Sequence, residues 1–291
     1  MSLYTHLIDR ATWTAGTTDE AATRATSALE RGDVLFFSSL RFVVHPDEAG
    51  LFTPAILGSA KNASFDPSTG RVGGTTSGVD ARALGSMMQR FSDAAAALVS
   101  EVCPAYRSRL DRRRASFRPA EIAGRTTTWR KDDTRLHVDS FPATPSGGKR
   151  ILRVFTNVNP EGRARSWRIG GEFEAVAARF VSKLRIPAPG SSQLLRLLRV
   201  TKTTRSPYDA LMLQLHDLMK ADDDFQAHTP QTAVDFPAGS TWMAFTDQVS
   251  HAAMAGQYQL EQTFLLPVEA MEDPQRSPLR ILERLKGRRL T

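Results

Sequence analysis

A His-x-Asp pair and one distant histidine constrain most strongly how this chain can fold. His137 and Asp139 follow a mostly polar run, and in a β-strand residues two apart project from the same face. One imidazole and one carboxylate are two thirds of the facial triad that binds iron(II) in non-haem oxygenases. The third ligand is a second histidine, and His251 is the best candidate. The fold must therefore bring two distant segments together around one metal ion.

Two other histidines are weighed as ligands and set aside. His45-Pro46-Asp47 is a second His-x-Asp pair, but its central proline fixes the backbone and favours a surface turn. His216 lies in a predicted helix beside Asp217, where a hydrogen-bonded structural role is the more frequent one. Neither is predicted to bind the metal.

The composition is that of an ordinary soluble protein from a reducing compartment. A chain of 291 residues can bury a full core, and its single cysteine allows no internal disulfide. We find no secretory signal and no segment that could span a membrane, so we expect a cytoplasmic protein. The net charge of +7 favours an anionic partner, which includes nucleic acid, a membrane surface or an acidic small molecule.

The order of predicted elements indicates an α+β fold with a double-stranded β-helix (jelly-roll) core. We predict a single domain over 1–291, with the jelly-roll core at about 117–171 and 229–268 and a helical insertion at about 172–228. The N-terminal region, 1–30, is predicted to be helical. Further strands are predicted at 34–37, 40–44, 126–139, 150–160, 231–240, 242–250 and 257–266, and a long helix at 80–102.

A run of arginines precedes the predicted barrel core. We interpret the segment 107–118 as the solvated face of a helix, and the alternative is a patch that contacts an anion. Its six arginines are Arg107, Arg109, Arg112, Arg113, Arg114 and Arg118.

The strand predicted at 150–160 carries polar residues on a face that is otherwise apolar. Arg153, Asn157 and Asn159 share this face, and polar groups buried without partners are costly. The face therefore either lines a pocket for an anionic ligand or meets water.

An iron(II) ion on the triad needs an electron source to activate dioxygen, and 2-oxoglutarate is the usual one. Its distal carboxylate favours arginine, which is a planar bidentate donor. No arginine follows His251 in the chain until Arg276, so the next predicted strand, 257–266, contains none. We therefore assign this role to Arg153, with Asn157 on the same face and Arg118 as the second candidate.

The chain resembles the Kdo hydroxylases, which are similar to other iron(II)/2-oxoglutarate dioxygenases. The resemblance is clear from about 117 to 266. It is carried by the segments RLHVDSFP (135–142), GKRILRVFTNVNP (148–160), WRIG (167–170), RSPYD (205–209), LHD (215–217) and TDQVSHA (246–252).

The resemblance implies hydroxylation of the 3-position of 3-deoxy-D-manno-oct-2-ulosonic acid (Kdo) on Kdo-lipid A, giving Ko, in bacterial lipopolysaccharide biosynthesis. The iron triad of the family would fall on His137, Asp139 and His251. The implied substrate is a glycolipid with sugar carboxylates and lipid phosphates. A basic protein can meet it as a peripheral protein on the anionic cytoplasmic face of the inner membrane.

Two basic segments are candidates for contact with this substrate or its membrane. Basic residues in the insertion are a candidate sugar-acid site, unless they form a solvated surface: Lys183, Arg185, Arg196, Arg199, Lys202 and Arg205. The segment 277–291 predicts a short amphipathic helix after Ser277-Pro278. This helix either docks on the barrel or lies on an anionic membrane surface.

Two other functions stay open at this point. A dioxygenase of the same fold can act on another small acid or on a protein, although such a substrate does not need the basic insertion. A non-catalytic nucleic-acid-binding protein fits the charge, but the chain has no zinc-finger spacing and no aromatic-basic surface motif. We therefore expect no nucleic acid partner.

Overall fold

The computed structural model describes residues 5–188, 190, 197 and 204–291. Its strands are β1 (Thr5–Leu7), β2 (Val34–Phe37), β3 (Ala63–Asp66), β4 (Arg71–Gly73), β5 (Asp111–Arg118), β6 (Arg150–Asn157), β7 (Arg165–Gly170), β8 (Gln231–Phe236), β9 (Thr241–Phe245), β10 (His251–Ala255) and β11 (Gln259–Leu266).

These strands form two sheets. The larger sheet has the order β1-β2-β9-β6-β11-β5-β3-β4, and the smaller has the order β10-β7-β8. Among the strand pairs of the described chain, β1 and β2 are parallel and all the others are antiparallel. The larger sheet includes strands upstream of residue 117, where the predicted barrel core begins.

The two sheets face each other across a layer of aromatic side chains. Phe236 of the smaller sheet stacks on Trp242 of the larger, with ring centroids 4.0 Å apart. Phe155 packs edge-on against Trp167 across the same layer, at 5.1 Å. These inward-facing aromatic side chains close the jelly roll between the two sheets, and the predicted α+β jelly-roll class is confirmed.

Helices cover the other face of the larger sheet. The helix Ala81–Val102 shares its core with Leu152 and Val154 of β6, whose neighbours Arg153 and Phe155 point to the smaller sheet. The helices are Asp19–Arg31, Ala81–Val102, Phe173–Phe180, Pro207–Ala221, Asp223–His228 and Pro278–Lys286, and the short 3₁₀ helices are Pro46–Leu51, Pro54–Ile56, Pro104–Tyr106, Trp129–Lys131, Val268–Ala270 and Pro274–Arg276.

The structure corrects the prediction of a strand at 40–44. No strand forms there because side chains bind its backbone carbonyl groups. Thr241 Oγ1 donates to the carbonyl of Leu40 at 2.7 Å, and Trp13 Nε1 donates to that of Arg41 at 3.0 Å. The segment therefore wraps the barrel as an extended loop.

Three further predicted elements are wrong. The arginine run at 107–118 ends in strand β5 rather than in a helix, because Ala115 and Phe117 alternate into the core. The segment 126–139 is mostly loop, with the 3₁₀ helix Trp129–Lys131 inside it. The strand predicted at 242–250 stops at Phe245, and a turn separates it from β10.

The C-terminal helix Pro278–Lys286 docks on the protein. Leu279, Ile281 and Leu282 are only 4%, 5% and 0% exposed, and Lys286 Nζ donates to the carbonyl of Leu184 at 2.9 Å. Its apolar face is therefore not free to lie on a membrane, and that alternative is wrong for this face. No helix in the described ranges is long and apolar enough to span a bilayer.

Candidate metal centre

A pair of backbone hydrogen bonds holds the two histidines of the predicted triad side by side. His137 N donates to the carbonyl of His251 at 3.0 Å, and His251 N donates to that of His137 at 2.9 Å. Asp139 N donates to the carbonyl of Thr246 at 2.8 Å. The prediction of a regular strand here is wrong, but the extended backbone still projects His137 and Asp139 to the same side.

The three side chains converge on one point. One ligand atom from each of His137, Asp139 and His251 lies within 4.8 Å of the other two, and His137 Nε2 is 3.9 Å from Asp139 Oδ1. Both histidines are buried, at 8% and 7% exposure. Two imidazoles and one carboxylate at this spacing fit a divalent first-row metal with open positions.

Backbone carbonyls orient both imidazole rings. His137 Nδ1 lies 2.8 Å from the carbonyl of Arg135, and His251 Nδ1 lies 2.8 Å from the carbonyl of Val249. A carbonyl only accepts, so Nδ1 carries the proton in both rings and each Nε2 presents its lone pair to the metal.

The electrostatics keep the triad in its metal-binding protonation state. Burial, followed by the charge of His251, lowers the pKa of His137 well below its ordinary value, and burial also lowers the pKa of His251. Burial by itself raises the pKa of Asp139, but Arg153 and the two histidines outweigh it and hold that pKa well below its ordinary range. Two neutral imidazoles and one carboxylate are the form that binds a cation.

A buried ion pair fixes the turn that delivers His251. Arg150 Nε donates to Asp247 Oδ2 at 2.9 Å, and the two side chains are 0% and 1% exposed. The Arg150 guanidinium also lies 3.8 Å from the centroid of the Phe245 ring. Because the turn connects β9 to β10, this pair ties the start of β10 to β6.

The triad lines a cavity of about 140 Å³ together with charged residues of both sheets. Arg153 Nε lies 3.2 Å from Asp139 Oδ2, and Arg153 Nη1 donates to Glu261 Oε1 at 2.7 Å. Arg118 Nε donates to Glu261 Oε2 at 3.0 Å. Both predicted cosubstrate arginines therefore lie at the cavity, and each already has a carboxylate partner.

Arg165 is a third arginine at this cavity, and the sequence analysis missed it. It is 2% exposed and donates through Nη1 to the carbonyl of Gly256 at 2.6 Å, with no ion pair to any described residue. Burial, followed by the charge of Arg118, lowers the pKa of Arg165 to about 9. The signal was present in the sequence, since Arg165 shares an otherwise apolar strand face with Trp167 and Ile169.

Five buried polar atoms of the cavity lack a hydrogen-bond partner among the described residues. Two of them, Arg153 Nε and Asp139 Oδ2, lie 3.2 Å apart as an ion pair, and the other three are Arg165 Nε, Trp167 Nε1 and Gln259 Oε1. Buried polar groups are nearly always paired, so this cluster indicates space for a polar ligand.

Asn157 does not belong to this site. Its Nδ2 donates to the carbonyls of Arg163 and Phe236, at 2.9 and 3.0 Å, and its Oδ1 accepts from Asn159 N at 3.0 Å. These bonds tie the loop after β6 to the smaller sheet. Asn157 is not among the residues that line the cavity, so we assign it no contact with a cosubstrate.

The histidines that were set aside lie outside the triad. His45 is exposed and precedes the 3₁₀ helix Pro46–Leu51, as the predicted turn requires. His216 Nδ1 lies 3.0 Å from Asp217 Oδ1, and its ring packs 5.3 Å from that of His137. His216 therefore supports a ligand rather than being one.

The three described basic residues of the insertion, Lys183, Arg185 and Arg205, do not line the cavity. Lys183 Nζ lies 3.7 Å from Asp222 Oδ2, and Arg205 Nη2 donates to the carbonyl of Pro142 at 2.8 Å. Arg185 is exposed. Three other members of that candidate site, Arg196, Arg199 and Lys202, lie outside the described residues.

A jelly roll that holds two histidines and one aspartate around open coordination positions defines a non-haem iron(II) oxygenase. A family model described as 3-deoxy-D-manno-oct-2-ulosonic acid (Kdo) hydroxylase matches residues 12–289. The chain belongs to this Kdo hydroxylase family. The predicted Fe(II)/2-oxoglutarate-dependent dioxygenase is thereby confirmed, and the non-catalytic alternative is excluded.

Solved structures agree with this assignment. The chain is similar to the Kdo hydroxylase KdoO, a non-haem Fe(II) α-ketoglutarate-dependent dioxygenase, in complex with cobalt(II), with 46% identity, a TM-score of 0.96 and coverage of 99% of this chain and 97% of that one. It is also similar to KdoO with α-ketoglutarate and Fe(III), with 45% identity, a TM-score of 0.95 and coverage of 99% and 97%. A comparison with curated protein sequences gave no match.

Replacing His137, Asp139 or His251 singly by Ala is expected to abolish Fe(II) binding while the fold is retained. Removing a residue that only hydrogen-bonds to a metal ligand lowers metal affinity about 10–100-fold, so removing a ligand itself should lower it at least about 100-fold. The measurement is anaerobic Fe(II) titration, with circular dichroism as the test of folding.

His45→Ala is the matched control, because it removes the histidine of the other His-x-Asp pair, and it should bind iron as the parent does. Unchanged affinity in His251→Ala would contradict the triad and point to His216 as the third ligand.

Proposed function

We propose that this protein hydroxylates the 3-position of Kdo on Kdo-lipid A, with iron held by His137, Asp139 and His251 and with 2-oxoglutarate and dioxygen as cosubstrates. The buried triad, with each Nε2 directed inward, is the observation that carries this proposal. Iron(II) held by these three residues would supply the centre that the keto acid of 2-oxoglutarate chelates and at which dioxygen is activated.

The surrounding side chains position the triad and exclude water. Arg153 lies against the second oxygen of Asp139, at 3.2 Å, and so orients the carboxylate that faces His137. Trp167 stacks on the His251 ring, with centroids 5.0 Å apart and planes 23° apart, and shields it from solvent. Buried surroundings of this kind strengthen the electrostatic interactions within the pocket.

The distal carboxylate of 2-oxoglutarate fits Arg165 better than the two arginines that the sequence predicted. Arg153 and Arg118 already share Glu261, so a further anion would compete with that carboxylate. Arg165 is an unpaired buried cation with a free Nε, and a carboxylate would supply its missing charge and hydrogen bond.

Arg165→Met is therefore expected to weaken 2-oxoglutarate binding to the iron-loaded, anaerobic protein by about 10–150-fold. This is the loss of a charge-assisted hydrogen bond of about 1.5–3 kcal/mol. Arg165→Lys keeps the charge but lacks the planar fork, so its affinity for 2-oxoglutarate should lie between those of the parent and Arg165→Met. Folding should survive, because Arg165 has no carboxylate partner to leave unpaired in the described structure.

Arg163→Met is the control for this series, since Arg163 is an exposed arginine two residues away that pairs with Glu161. Parental affinity in Arg165→Met, with a loss in Arg153→Lys, would return the role to Arg153. A loss confined to Arg118→Lys would assign it to Arg118.

The activity itself is tested by the substrate dependence of 2-oxoglutarate turnover. With Fe(II) and dioxygen present, Kdo-lipid A should stimulate succinate formation strongly, whereas lipid A without Kdo should not. Equal stimulation by the two lipids, or stimulation only by an unrelated acid, would contradict the proposed substrate and favour a same-fold dioxygenase of another specificity.

We also infer that the protein meets its lipid-borne substrate as a peripheral protein at the anionic cytoplasmic face of the inner membrane. The net charge of +7 supports this. Arg288 and Arg289, exposed beyond the docked C-terminal helix, are the basic residues of that segment that stay free to contact headgroups.

Low-salt sedimentation should show binding to anionic phospholipid vesicles, little binding to zwitterionic ones and release at high salt. Replacing Arg288 and Arg289 together by Gln should weaken binding by about 2 kcal/mol, since each basic side chain near such a surface adds about 1 kcal/mol. Equal binding to both vesicle types, or none to anionic vesicles, would contradict the peripheral location.

A further inference from the structure

A second, larger cavity of about 460 Å³ adjoins the metal cavity. The two share one wall, formed by Arg118, Arg153 and Glu261. Five arginines line the larger cavity against two carboxylates, so its lining is strongly positive: Arg112, Arg113, Arg114, Arg118 and Arg153 face Asp66 and Glu261. A molecule whose reacting carbon lies at the metal can extend from there into the larger cavity, whose positively charged lining favours an anion.

A β-bulge creates this concentration of charge. Between the pairs Ala115–Gln262 and Arg112–Phe264, the single residue Thr263 of β11 lies opposite two consecutive residues of β5, Arg113 and Arg114. In a regular strand, consecutive side chains alternate between the two faces. The bulge breaks that alternation, so all three consecutive arginines line the cavity.

A buried side chain holds the bulge in place. Gln262 is 0% exposed, and its Nε2 donates to the carbonyl of Arg113 at 2.8 Å. The backbone group that the irregular pairing would leave without a strand partner is thereby satisfied. The arrangement of the arginines is therefore fixed by the sheet rather than by a mobile loop.

Two of the bulge arginines are only weakly paired and can bind a ligand. Arg112 donates to Asp93 at 2.6 Å, whereas Arg113 donates to Asp111 at the longer distance of 3.5 Å and Arg114 lies 3.9 Å from Asp66. Their side chains are 48% and 63% exposed. Adjacent like charges repel one another, and an oxyanion between them would relieve the repulsion while accepting bidentate hydrogen bonds.

We propose that the cavity lined by Arg112, Arg113 and Arg114 binds an oxyanion of the glycolipid substrate while the reacting sugar lies at the metal. This rests on the proposed function and adds the place where the substrate is recognised. A sugar carboxylate and a lipid phosphate share the chemistry that guanidinium groups bind, and the experiment below distinguishes them.

The test compares Arg113→Gln and Arg114→Gln with Arg109→Gln, which removes the same charge from an exposed residue outside the cavity lining. Steady-state KM and kcat are measured with phosphate-bearing Kdo-lipid A and with a soluble Kdo glycoside that carries no phosphate. Each cavity variant should raise the KM for Kdo-lipid A about tenfold, with a much smaller effect on kcat. Arg109→Gln should keep the parental KM.

The second substrate identifies the anion. A KM that rises equally for both substrates assigns a sugar carboxylate to the cavity, and a rise confined to Kdo-lipid A assigns a phosphate. Parental KM values for both substrates in both cavity variants, or an equal rise in Arg109→Gln, would overturn the inference. Failure of the proposed function has a different signature, because the parent protein itself would then show no Kdo-dependent turnover.

Discussion

The reciprocal hydrogen bonds between the backbones of His137 and His251 are the contact on which the rest of the site depends. They join a loop to the first residue of β10 through an isolated bridge rather than through a regular strand pairing. Because both bonds are made by the ligand residues themselves, the two imidazoles lie side by side, with ring centroids 4.7 Å apart. The aspartate needs only to follow two residues later along the same extended backbone.

Around this contact the protein arranges buried charge in alternation. Asp139 contacts Arg153, Arg153 contacts Glu261, and Glu261 contacts Arg118. Each ion in this series is compensated, which is the condition for keeping charges out of water. Arg165 lies next to the series and forms no ion pair with any described residue, although Asp133 also lines the cavity. An anionic cosubstrate would give Arg165 a direct partner.

Much of the site was visible in the sequence because it depends on local spacing. The i, i+2 relation of His137 and Asp139, and the placement of Arg153 on the polar face of β6, follow from the period of extended backbone. Asn157 has the same periodicity, but its amide donates to the backbone carbonyls of Arg163 and Phe236, which only the tertiary structure brings near. The periodicity of a strand predicts on which face of the sheet a residue lies, but not which groups its side chain contacts.

The features that the sequence did not reveal depend on pairing between distant strands. The arginine run was mistaken for a helix, because its strand alternation is interrupted by a bulge whose register is set by β11. Arg165 was overlooked although its apolar strand face was visible in the sequence, because its lack of an ion-pair partner is a property of the assembled cavity. The loop with His137 contacts β10 through one bridge, His137 with His251, and one further backbone hydrogen bond, from Ala253 N to the carbonyl of Asp133 at 2.8 Å. This contact is too short for local propensity to specify.

A Kdo hydroxylase of this class inserts one oxygen atom from dioxygen into the sugar acid of its substrate. The most direct measurement is mass spectrometry and NMR of the product formed from Kdo-lipid A under ¹⁸O-labelled dioxygen. We expect one labelled oxygen at the 3-position of Kdo and one in the succinate formed with it. A product labelled from water, or oxygen inserted at another position, would contradict it.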